Sequence, residues 1–294
     1  MKKNKVLIIV GPTASGKSDL AVRLARKFNG EIISADSRQV YKGLDIGSGK
    51  ITKQEMQGIP HHLLDIASPK TQFSASDYIM LTNLAIAKIV NNGKLPFVVG
   101  GTGFYIDALV GTTTLPNVPP DKLLRSKLNK LSTEQLFKML KTRDPERAKT
   151  IDQNNKVRLV RALEIIAKLG RVPPPAKGEA GGGQFIWIGL KPDILDEKIH
   201  TRLDRRWTGI VREVKRLHKQ GLSWKRMYEL GLEYRYVSLY VRGKLTKEEA
   251  QEKLFIEIRR YAKRQMTWWK RNGKIKWFNT TSYKQTEEYV REKI

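Results

Sequence analysis

Cysteine is absent from this chain of 294 residues. Its absence excludes disulfide bonds, cysteine-ligated metal sites and catalysis by a thiolate. Long apolar runs are also missing, because no stretch approaches the roughly 20 residues that a membrane-spanning helix requires. The apolar run near the N-terminus, Val6–Val10, is too short for a signal peptide. We therefore expect a cytoplasmic protein that does not bind membranes.

Acidic residues are scarce, with 29 Asp and Glu against 56 Lys and Arg and a formal net charge of +27. A small domain needs a net charge of only about 2–8 in magnitude to stay soluble. The excess therefore indicates a polyanionic partner, and a basic surface that attracts phosphate backbones favours RNA. The alternative is a charge balance that serves solubility alone.

A segment near the N-terminus has the pattern of a phosphate-binding loop. The run Val6–Val10 predicts a buried parallel strand, and an amphipathic helix is predicted soon after it. Between them, Gly11 and Gly16 allow a tight turn whose N–H groups can face one anion. Lys17 adds a positive charge, and Ser18 adds a hydroxyl for Mg²⁺. A glycine turn that binds nothing is the alternative. The predicted phosphate-binding residues are Gly11, Pro12, Thr13, Ala14, Ser15, Gly16, Lys17 and Ser18.

A carboxylate that could act as a general base follows a second predicted strand. Residues 31–35 predict this strand, and Asp36 comes directly after it. A third predicted strand, Leu95–Val99, continues into a glycine-rich turn that contains Thr102 and no acid. The carboxyl ends of parallel strands share one crevice, so Asp36 and Thr102 should both face the phosphate-binding loop. Asp36 could then accept a proton from an attacking nucleophile. A helix cap or turn is the alternative role for Asp36.

The order of predicted elements indicates an α/β protein with a P-loop NTPase-like core, in which a parallel sheet is flanked by helices, and with an inserted all-helical domain. Strands and helices alternate until about residue 111, and residues 122–168 are predicted to be helical. We expect a discontinuous core of residues 1–111 and 184–294. The insertion domain would span residues 112–183 and end in a flexible link rich in Pro and Gly. One apolar stripe of the insertion consists of Leu123, Leu124, Leu128 and Leu131.

Positive charge and aromatic residues occur together in the C-terminal third. A helix over residues 255–271 would place an apolar stripe on one side and basic residues with Tyr261 and Trp268 on the other. Trp268 either stacks on a base or packs against a neighbouring element. On the last helix of the insertion, Arg158 and Arg161 share a face. They can either bind RNA phosphates or pair with acids.

Seven short motifs, taken in order, resemble those of the tRNA dimethylallyltransferases, also called tRNA isopentenyltransferases. They are residues 11–18, 34–41, 45–47, 60–63, 100–105, 161–164 and 260–265. The resemblance extends over essentially the whole chain. It implies transfer of a dimethylallyl group from dimethylallyl diphosphate to the exocyclic N6 amine of the adenosine on the 3′ side of the anticodon in certain tRNAs.

The resemblance also implies roles for individual residues. The phosphate-binding loop, Lys17 and an Mg²⁺ ion held by Ser18 would bind the diphosphate leaving group. Asp36 would take the proton from the adenine amine, while Thr13 and Thr102 would help to orient diphosphate and amine. The candidate contacts to the tRNA anticodon stem-loop are Asp36, Ser37, Arg38, Gln39 and Thr102. Arg158 and Arg161, which share a helical face, are further candidates for this contact.

The motif that follows Leu230 departs from the usual spacing of the family. This chain has the sequence Gly-Leu-Glu-Tyr-Arg over residues 231–235, where Gly-Tyr-Arg or Gly-Tyr-Lys is usual. Counting back from Gly243 aligns Arg235 with the basic residue of that motif. Arg235 is therefore a candidate contact to diphosphate or RNA. A surface arginine without a role in the site is the alternative.

Two other classes of function remain open at this point. A P-loop kinase, or an adenylate isopentenyltransferase that acts on free nucleotides, would share the loop, but the basic C-terminal region argues against both. A non-enzymatic RNA-binding protein could retain the loop as a scaffold. The joint presence of Lys17, Ser18 and Asp36 favours an enzyme, which we expect to be a monomer.

Overall fold

The computed structural model describes residues 4–173 and 184–294, and its core is a parallel β-sheet. The strands of this sheet are β1 (Lys5–Val10), β2 (Gly30–Ser34), β3 (His61–His62), β4 (Leu95–Val99), β5 (Gln184–Lys191) and β6 (Lys276–Asn279). They lie in the order β3-β2-β4-β1-β5-β6, and neighbouring strands pair in parallel.

Helices occupy most of the remaining described residues. They are α1 (Lys17–Lys27), α2 (Lys53–Met56), α3 (Ala75–Asn91), α4 (Gly103–Leu109), α5 (Lys122–Leu128), α6 (Thr133–Arg143), α7 (Pro145–Thr150), α8 (Lys156–Leu169), α9 (Leu195–Lys219), α10 (Trp224–Leu230), α11 (Leu232–Val241), α12 (Lys247–Trp269) and α13 (Tyr283–Lys293).

The composition of β1 explains its central position in the sheet. Its apolar residues are all buried, and alternate side chains face opposite sides of the sheet. Leu7 and Ile9 pack with Leu24 of α1, whereas Ile8 packs with Tyr78 of α3 on the other side. A parallel strand that is buried on both faces is typical of an α/β sheet covered by helices on both sides. The predicted fold class is therefore confirmed.

The strand order brings the three predicted functional loops to one edge of the sheet. β1 lies beside β4, and β2 lies on the other side of β4. Backbone hydrogen bonds continue beyond the strands, because the Thr102 N–H donates to the Ala35 carbonyl at 3.1 Å and the Gly100 N–H donates to the Ile9 carbonyl at 3.2 Å. The loops after β1, β2 and β4 are thus held side by side.

A buried carboxylate organises the loop that contains Asp45, Ile46 and Gly47. Glu213 of α9 accepts the N–H groups of these residues at 3.0, 2.7 and 3.0 Å, respectively. The Tyr234 hydroxyl of α11 donates to the same carboxylate at 2.8 Å. Four donors satisfy the charge, which makes its burial tolerable.

The chain divides into two compact units, Met1–Val110 with Gly181–Ile294 and Gly111–Ala180. The insertion expected over residues 112–183 begins one residue later and ends three residues later than the second unit. The link rich in Pro and Gly falls largely on residues 174–183, which lie outside the described residues.

Polar caps define the helices of the second unit. Ser132 and Gln135 form a capping box at the start of α6. Asp144 caps α7, which begins at Pro145, and Asn155 caps α8. Each side chain accepts an N–H group that has no partner within its own helix.

The predicted leucine stripe of this unit is wrong at one position. Leu128 is buried and Leu124 and Leu131 are half-buried, but Leu123 is 79% exposed. Leu124 and Leu128 are four residues apart on α5 and share a face, whereas Leu123 lies about 100° around the helix from Leu124. Such a short helix can bury only one face.

Within the described residues, no helix combines the length and the apolar character needed to cross a lipid bilayer.

Candidate active site

The loop between β1 and α1 has the backbone of an anion cradle. Positive φ angles occur at Gly11, Ala14 and Gly16, with values of 151°, 60° and 77°. A Cβ atom on Gly11 would lie 2.7 Å from the Leu190 carbonyl oxygen, so glycine is needed there. Gly16 leads directly into α1, whose first N–H groups and dipole favour an anion.

Lys17, the first residue of α1, reaches back over this loop. Its Nζ donates to the Pro12 carbonyl oxygen at 2.6 Å and to Ser15 Oγ at 3.5 Å. Burial lowers the pKa of Lys17 from 10.5 to about 8; the Asp36 carboxylate opposes this shift, and the Arg202 guanidinium adds to it. The ammonium group is poorly solvated, so an anionic ligand would stabilise it strongly.

Asp36 lies in the turn that follows β2. Its Oδ1 accepts the N–H groups of Arg38 at 2.8 Å and Gln39 at 3.3 Å, which is the pattern of an Asx turn. Among the described residues, Oδ2 has no hydrogen-bond partner. One oxygen therefore forms the turn, and the other remains available for proton transfer.

Thr102 joins the loop after β4 to the turn around Asp36. Its Oγ1 accepts the Ser37 N–H at 3.0 Å. Tyr261 of α12 lies close to Asp36, and burial together with the negative charge of Asp36 raises the pKa of Tyr261. Thr102 and Tyr261 thus place two hydroxyl groups close to the carboxylate.

A cavity of about 770 Å³ connects the loop with Asp36. The loop residues Thr13 to Ser18 form one part of its lining, and Tyr261 of α12 contributes an aromatic ring. Lys198, Arg202 and Arg205 of α9 add positive charge. The volume lies in the usual range for small-molecule sites.

A family model described as IPP transferase matches residues 39–272. The chain belongs to this family. Among its relatives, the tRNA dimethylallyltransferase of Caldanaerobacter subterraneus subsp. tengcongensis is 42% identical, and the alignment covers 99% of this chain and 96% of the relative. The tRNA dimethylallyltransferase of Bacillus subtilis is 39% identical, with 95% and 92% covered.

Solved structures of IPP transferases also match over nearly the whole chain. The full-length tRNA isopentenylpyrophosphate transferase of Bacillus halodurans is 36% identical with a TM-score of 0.74, and 99% of this chain and 97% of that chain are covered. A eukaryotic dimethylallyltransferase, described as acting on tRNA, is 27% identical with a TM-score of 0.82. The match covers 99% of this chain and 77% of that chain.

In this member of the IPP transferase family, the basic side of the cavity was missed by the sequence analysis. Lys198, Arg202 and Arg205 lie four and three residues apart on α9, a spacing that places them on one helical face. Arg202 Nη2 also donates to the Gly49 carbonyl oxygen at 3.4 Å. The helical spacing places these side chains on one face, but it does not show that this face lines the cavity.

Gln265 is a second functional candidate that sequence analysis missed. Its side chain is buried, although it is polar, and it lines the cavity. It accepts the Thr13 N–H and donates to the Gly101 carbonyl oxygen. Its position at the end of the 260–265 motif was visible, but hydrophobic periodicity gives no indication of a buried polar contact.

Arg235 lies away from this cavity lining. Its Nε donates to the Tyr228 carbonyl at 3.1 Å, and its guanidinium lies 4.4 Å from the centre of the Tyr228 ring. Among the described residues that line the cavity, Arg235 does not occur. Its contacts are those of the surface arginine considered as the alternative.

Two other residues have mainly structural contacts. Arg38 Nε donates to the Leu230 carbonyl at 2.6 Å, which ties the turn around Asp36 to the end of α10. Trp268 packs against α4, since a Cβ atom on Gly103 would collide with the indole ring. Packing was the alternative considered for this tryptophan.

The arginine pair of the second unit has two different environments. Arg158 is exposed on α8 and remains a candidate for RNA contact. Arg161 Nη1 pairs with the buried Glu164 at 3.1 Å, and its Nη2 donates to the Val118 carbonyl at 2.8 Å. Arg161 therefore pairs with an acid, as the alternative assumed.

The Ser18 hydroxyl, which lines the cavity, suits a magnesium ion. Mg²⁺ usually binds through one or two carboxylates and substrate phosphates, and it retains several water ligands. The described residues contain no group of three or more His, Cys, Asp or Glu side chains that could hold a metal. A magnesium ion here would therefore need the oxygens of a bound diphosphate.

Proposed function

We propose that this protein transfers a dimethylallyl group from dimethylallyl diphosphate to the N6 amine of the adenosine 3′-adjacent to the anticodon of tRNA, with release of diphosphate. One observation carries the proposal: a cationic phosphate cradle and a carboxylate with an available oxygen open into the same cavity. Relatives named tRNA dimethylallyltransferase, which align over nearly the whole chain, support this assignment.

The cradle suits a diphosphate that leaves with an additional negative charge. The N–H groups of residues 14–18, the Lys17 ammonium and the Arg202 guanidinium can stabilise the charge that develops as the C–O bond breaks. Mg²⁺, held by Ser18 and the diphosphate, would neutralise part of this charge when bound. Because carbon and not phosphorus is attacked, the loop does not need to position a hydrolytic water.

Asp36 suits the role of general base. The adenine amine forms a bond to C1 of the dimethylallyl group, and the C–O electron pair leaves with the diphosphate. The amine proton then passes to Asp36 Oδ2. Because the N–H groups of Arg38 and Gln39 hold Oδ1, the carboxylate keeps one orientation. The Thr102 hydroxyl, held by Ser37, lies beside the carboxylate and can orient the amine.

RNA is the acceptor that the charge distribution supports. Lys263 and Arg264 are exposed on α12, within one turn of Tyr261. A base in a stacked anticodon loop must leave the stack before it can reach Asp36. We propose the anticodon stem-loop as the bound element, with Gln39 and Arg158 among its contacts.

A transfer assay tests the proposal. The protein is incubated with Mg²⁺, isotope-labelled dimethylallyl diphosphate and either unmodified tRNA or AMP, and the labelled nucleotide is mapped after nuclease digestion. We expect label on one adenosine beside the tRNA anticodon and none on AMP. Label on AMP would instead indicate a prenyltransferase of free nucleotides. Binding of tRNA without label would indicate a non-enzymatic RNA-binding protein.

A further inference from the structure

A single side chain of α12 connects the donor and acceptor parts of the cavity. Gln265 is 6% exposed, and its Oε1 accepts the Thr13 N–H at 2.8 Å while its Nε2 donates to the Gly101 carbonyl oxygen at 3.0 Å. Thr13 belongs to the phosphate cradle, and Gly101 directly precedes Thr102. The amide therefore bridges the cradle and the loop that supports the general base.

The chemistry of this bridge is specific to glutamine. The Thr13 N–H needs an acceptor, and the Gly101 carbonyl oxygen needs a donor. An uncharged amide supplies both. The approach is close, because a Cβ atom on Gly101 would collide with Gln265 Nε2. Both polar ends are satisfied in a buried position, which favours one fixed geometry.

The bridge also determines which N–H groups face a ligand. The Thr13 N–H is directed at Gln265, so the anion-binding N–H groups are those that follow it in the loop. One turn earlier on α12, Tyr261 lies close to Asp36 and lines the same cavity. α12 thus supplies Gln265 to the cradle and Tyr261 to the acceptor loop.

We propose that Gln265 is a positioning residue that sets the separation between the diphosphate cradle and the Asp36–Thr102 pair, and thereby aligns the leaving group with the attacking nitrogen. This inference rests on the proposed function. A displacement of about 1 Å in such an arrangement can lower the rate about 100-fold, although every reacting group is still present.

Gln265→Met tests the bridge, because methionine has a similar length but neither polar contact. We expect kcat to fall by about 10–100-fold and the KM for dimethylallyl diphosphate to rise, while the KM for tRNA stays within about 2-fold. Gln265→Glu accepts from Thr13 but donates to Gly101 only when protonated. Its activity relative to wild type should therefore recover as the pH is lowered from about 8 to about 6, where a buried carboxyl takes up a proton.

Ser238→Ala serves as the matched control. Ser238 is buried, and its hydroxyl donates to the Arg235 carbonyl at 2.8 Å within α11. Its loss should lower the thermal midpoint without changing kcat or either KM. If Gln265→Met does not fold, Gln265→Glu and Gly101→Ala still provide the test. The Cβ atom added by Gly101→Ala would displace the Gln265 amide. This variant should therefore show the same change in kcat and in the KM for dimethylallyl diphosphate.

The outcomes separate this inference from the proposed function. A folded Gln265→Met protein whose kcat and donor KM lie within about 2-fold of an active wild type overturns the positioning role alone. A change confined to the KM for tRNA overturns it as well, because it would assign Gln265 to RNA binding. A wild-type protein that transfers no dimethylallyl group overturns the proposed function, and this inference with it.

Discussion

Lys17 and Asp36 bring opposite charges to one cavity, and the protein stabilises them differently. Asp36 receives two backbone N–H groups on one oxygen, which fixes the carboxylate. Lys17 has mainly the Pro12 carbonyl as a partner, and burial lowers its pKa to about 8. The site thus holds a carboxylate in a fixed orientation and a poorly solvated cation. Both properties favour binding and activation of an anionic donor.

Asp36→Asn should abolish most of the transfer activity and preserve tRNA binding. The amide oxygen can still accept from Arg38 and Gln39, so the turn should remain folded, but the side chain can no longer take the amine proton. We expect kcat to fall by about 100–10,000-fold, the range typical for loss of a general base, with tRNA affinity within about 2-fold. Single-turnover transfer and a filter-binding assay measure the two quantities. Asp204→Asn, at an exposed carboxylate of α9, is the control.

If Asp36→Asn retains normal turnover, the assignment of the base is wrong. A large loss of tRNA affinity would instead assign Asp36 to RNA binding.

Donor affinity should depend on pH through Lys17. Its pKa is about 8 before the donor binds, and the diphosphate should raise this pKa because opposite charge favours the ammonium form. Binding above pH 8 therefore requires uptake of a proton. The affinity should be constant from about pH 7 to 8 and then fall by up to about 10-fold per pH unit. The phosphate groups of the donor do not contribute to this decline above pH 8, since they titrate near pH 6.

Calorimetry with a thio-analogue of the donor, between about pH 6.5 and 9.5, measures this profile. Lys17→Met should bind the analogue more weakly at pH 7 and lack the decline above pH 8. If the decline persists in Lys17→Met, another group is responsible for it.

At the level of secondary-structure elements, contacts between distant segments define the site. α9 supplies Glu213 to the loop that contains residues 45–47, and the adjoining Gly49 lines the cavity. α12 supplies Tyr261 and Gln265. The helices after β5 therefore complete a site whose phosphate-binding loop lies at the start of the chain.

Glu213→Ala should destabilise the first unit through this loop. The substitution leaves three N–H groups and the Tyr234 hydroxyl without their acceptor. Leaving buried donors unsatisfied costs about 1–3 kcal/mol each before relaxation, and we expect a net loss of about 3 kcal/mol in the free energy of unfolding. Urea unfolding monitored by tryptophan fluorescence measures it. Glu252→Ala, at an exposed position of α12, is the control and should change the free energy of unfolding by less than about 0.5 kcal/mol. If both substitutions have an equal effect, Glu213 does not stabilise the loop in this way.

The parts of the site that could be predicted from the sequence are those encoded locally. The loop of residues 11–18 and the carboxylate at Asp36 follow directly from buried strands, so their neighbours in sequence identify them. Gln265 could not be found in this way, because its partner Thr13 lies 252 residues away. The cavity position of Arg202 likewise depends on how α9 packs, which its charge pattern alone does not determine. Leu123 shows the same limit for the core, since only one face of α5 is covered.

At the scale of the whole molecule, the net charge of +27 is the property that most strongly indicates a nucleic acid. Its distribution is informative as well, because Lys263 and Arg264 are exposed on the helix that also reaches the cavity. Arg259 and Arg260, by contrast, pair with Asp196 and Glu257. We therefore expect Lys263 and Arg264 to contribute more to RNA binding than their paired neighbours do.

tRNA affinity should decrease steeply with salt concentration. Release of counterions from several phosphate contacts predicts a loss of at least about 100-fold between about 50 and 200 mM salt. Lys263→Glu should reduce the slope of log Kd against log salt by about 1. Lys88→Glu, an equal charge reversal at an exposed position of α3, should leave the slope unchanged. Equal effects of the two reversals would show that net charge, and not the position on α12, governs binding.

The most direct test of the central claim is a crystal structure with the thio-analogue of dimethylallyl diphosphate bound. We expect diphosphate oxygens within about 2.7–3.2 Å of the N–H groups of residues 14–18, with C1 of the isoprenoid on the side of Asp36. An analogue that binds elsewhere and leaves this loop without a diphosphate would contradict it.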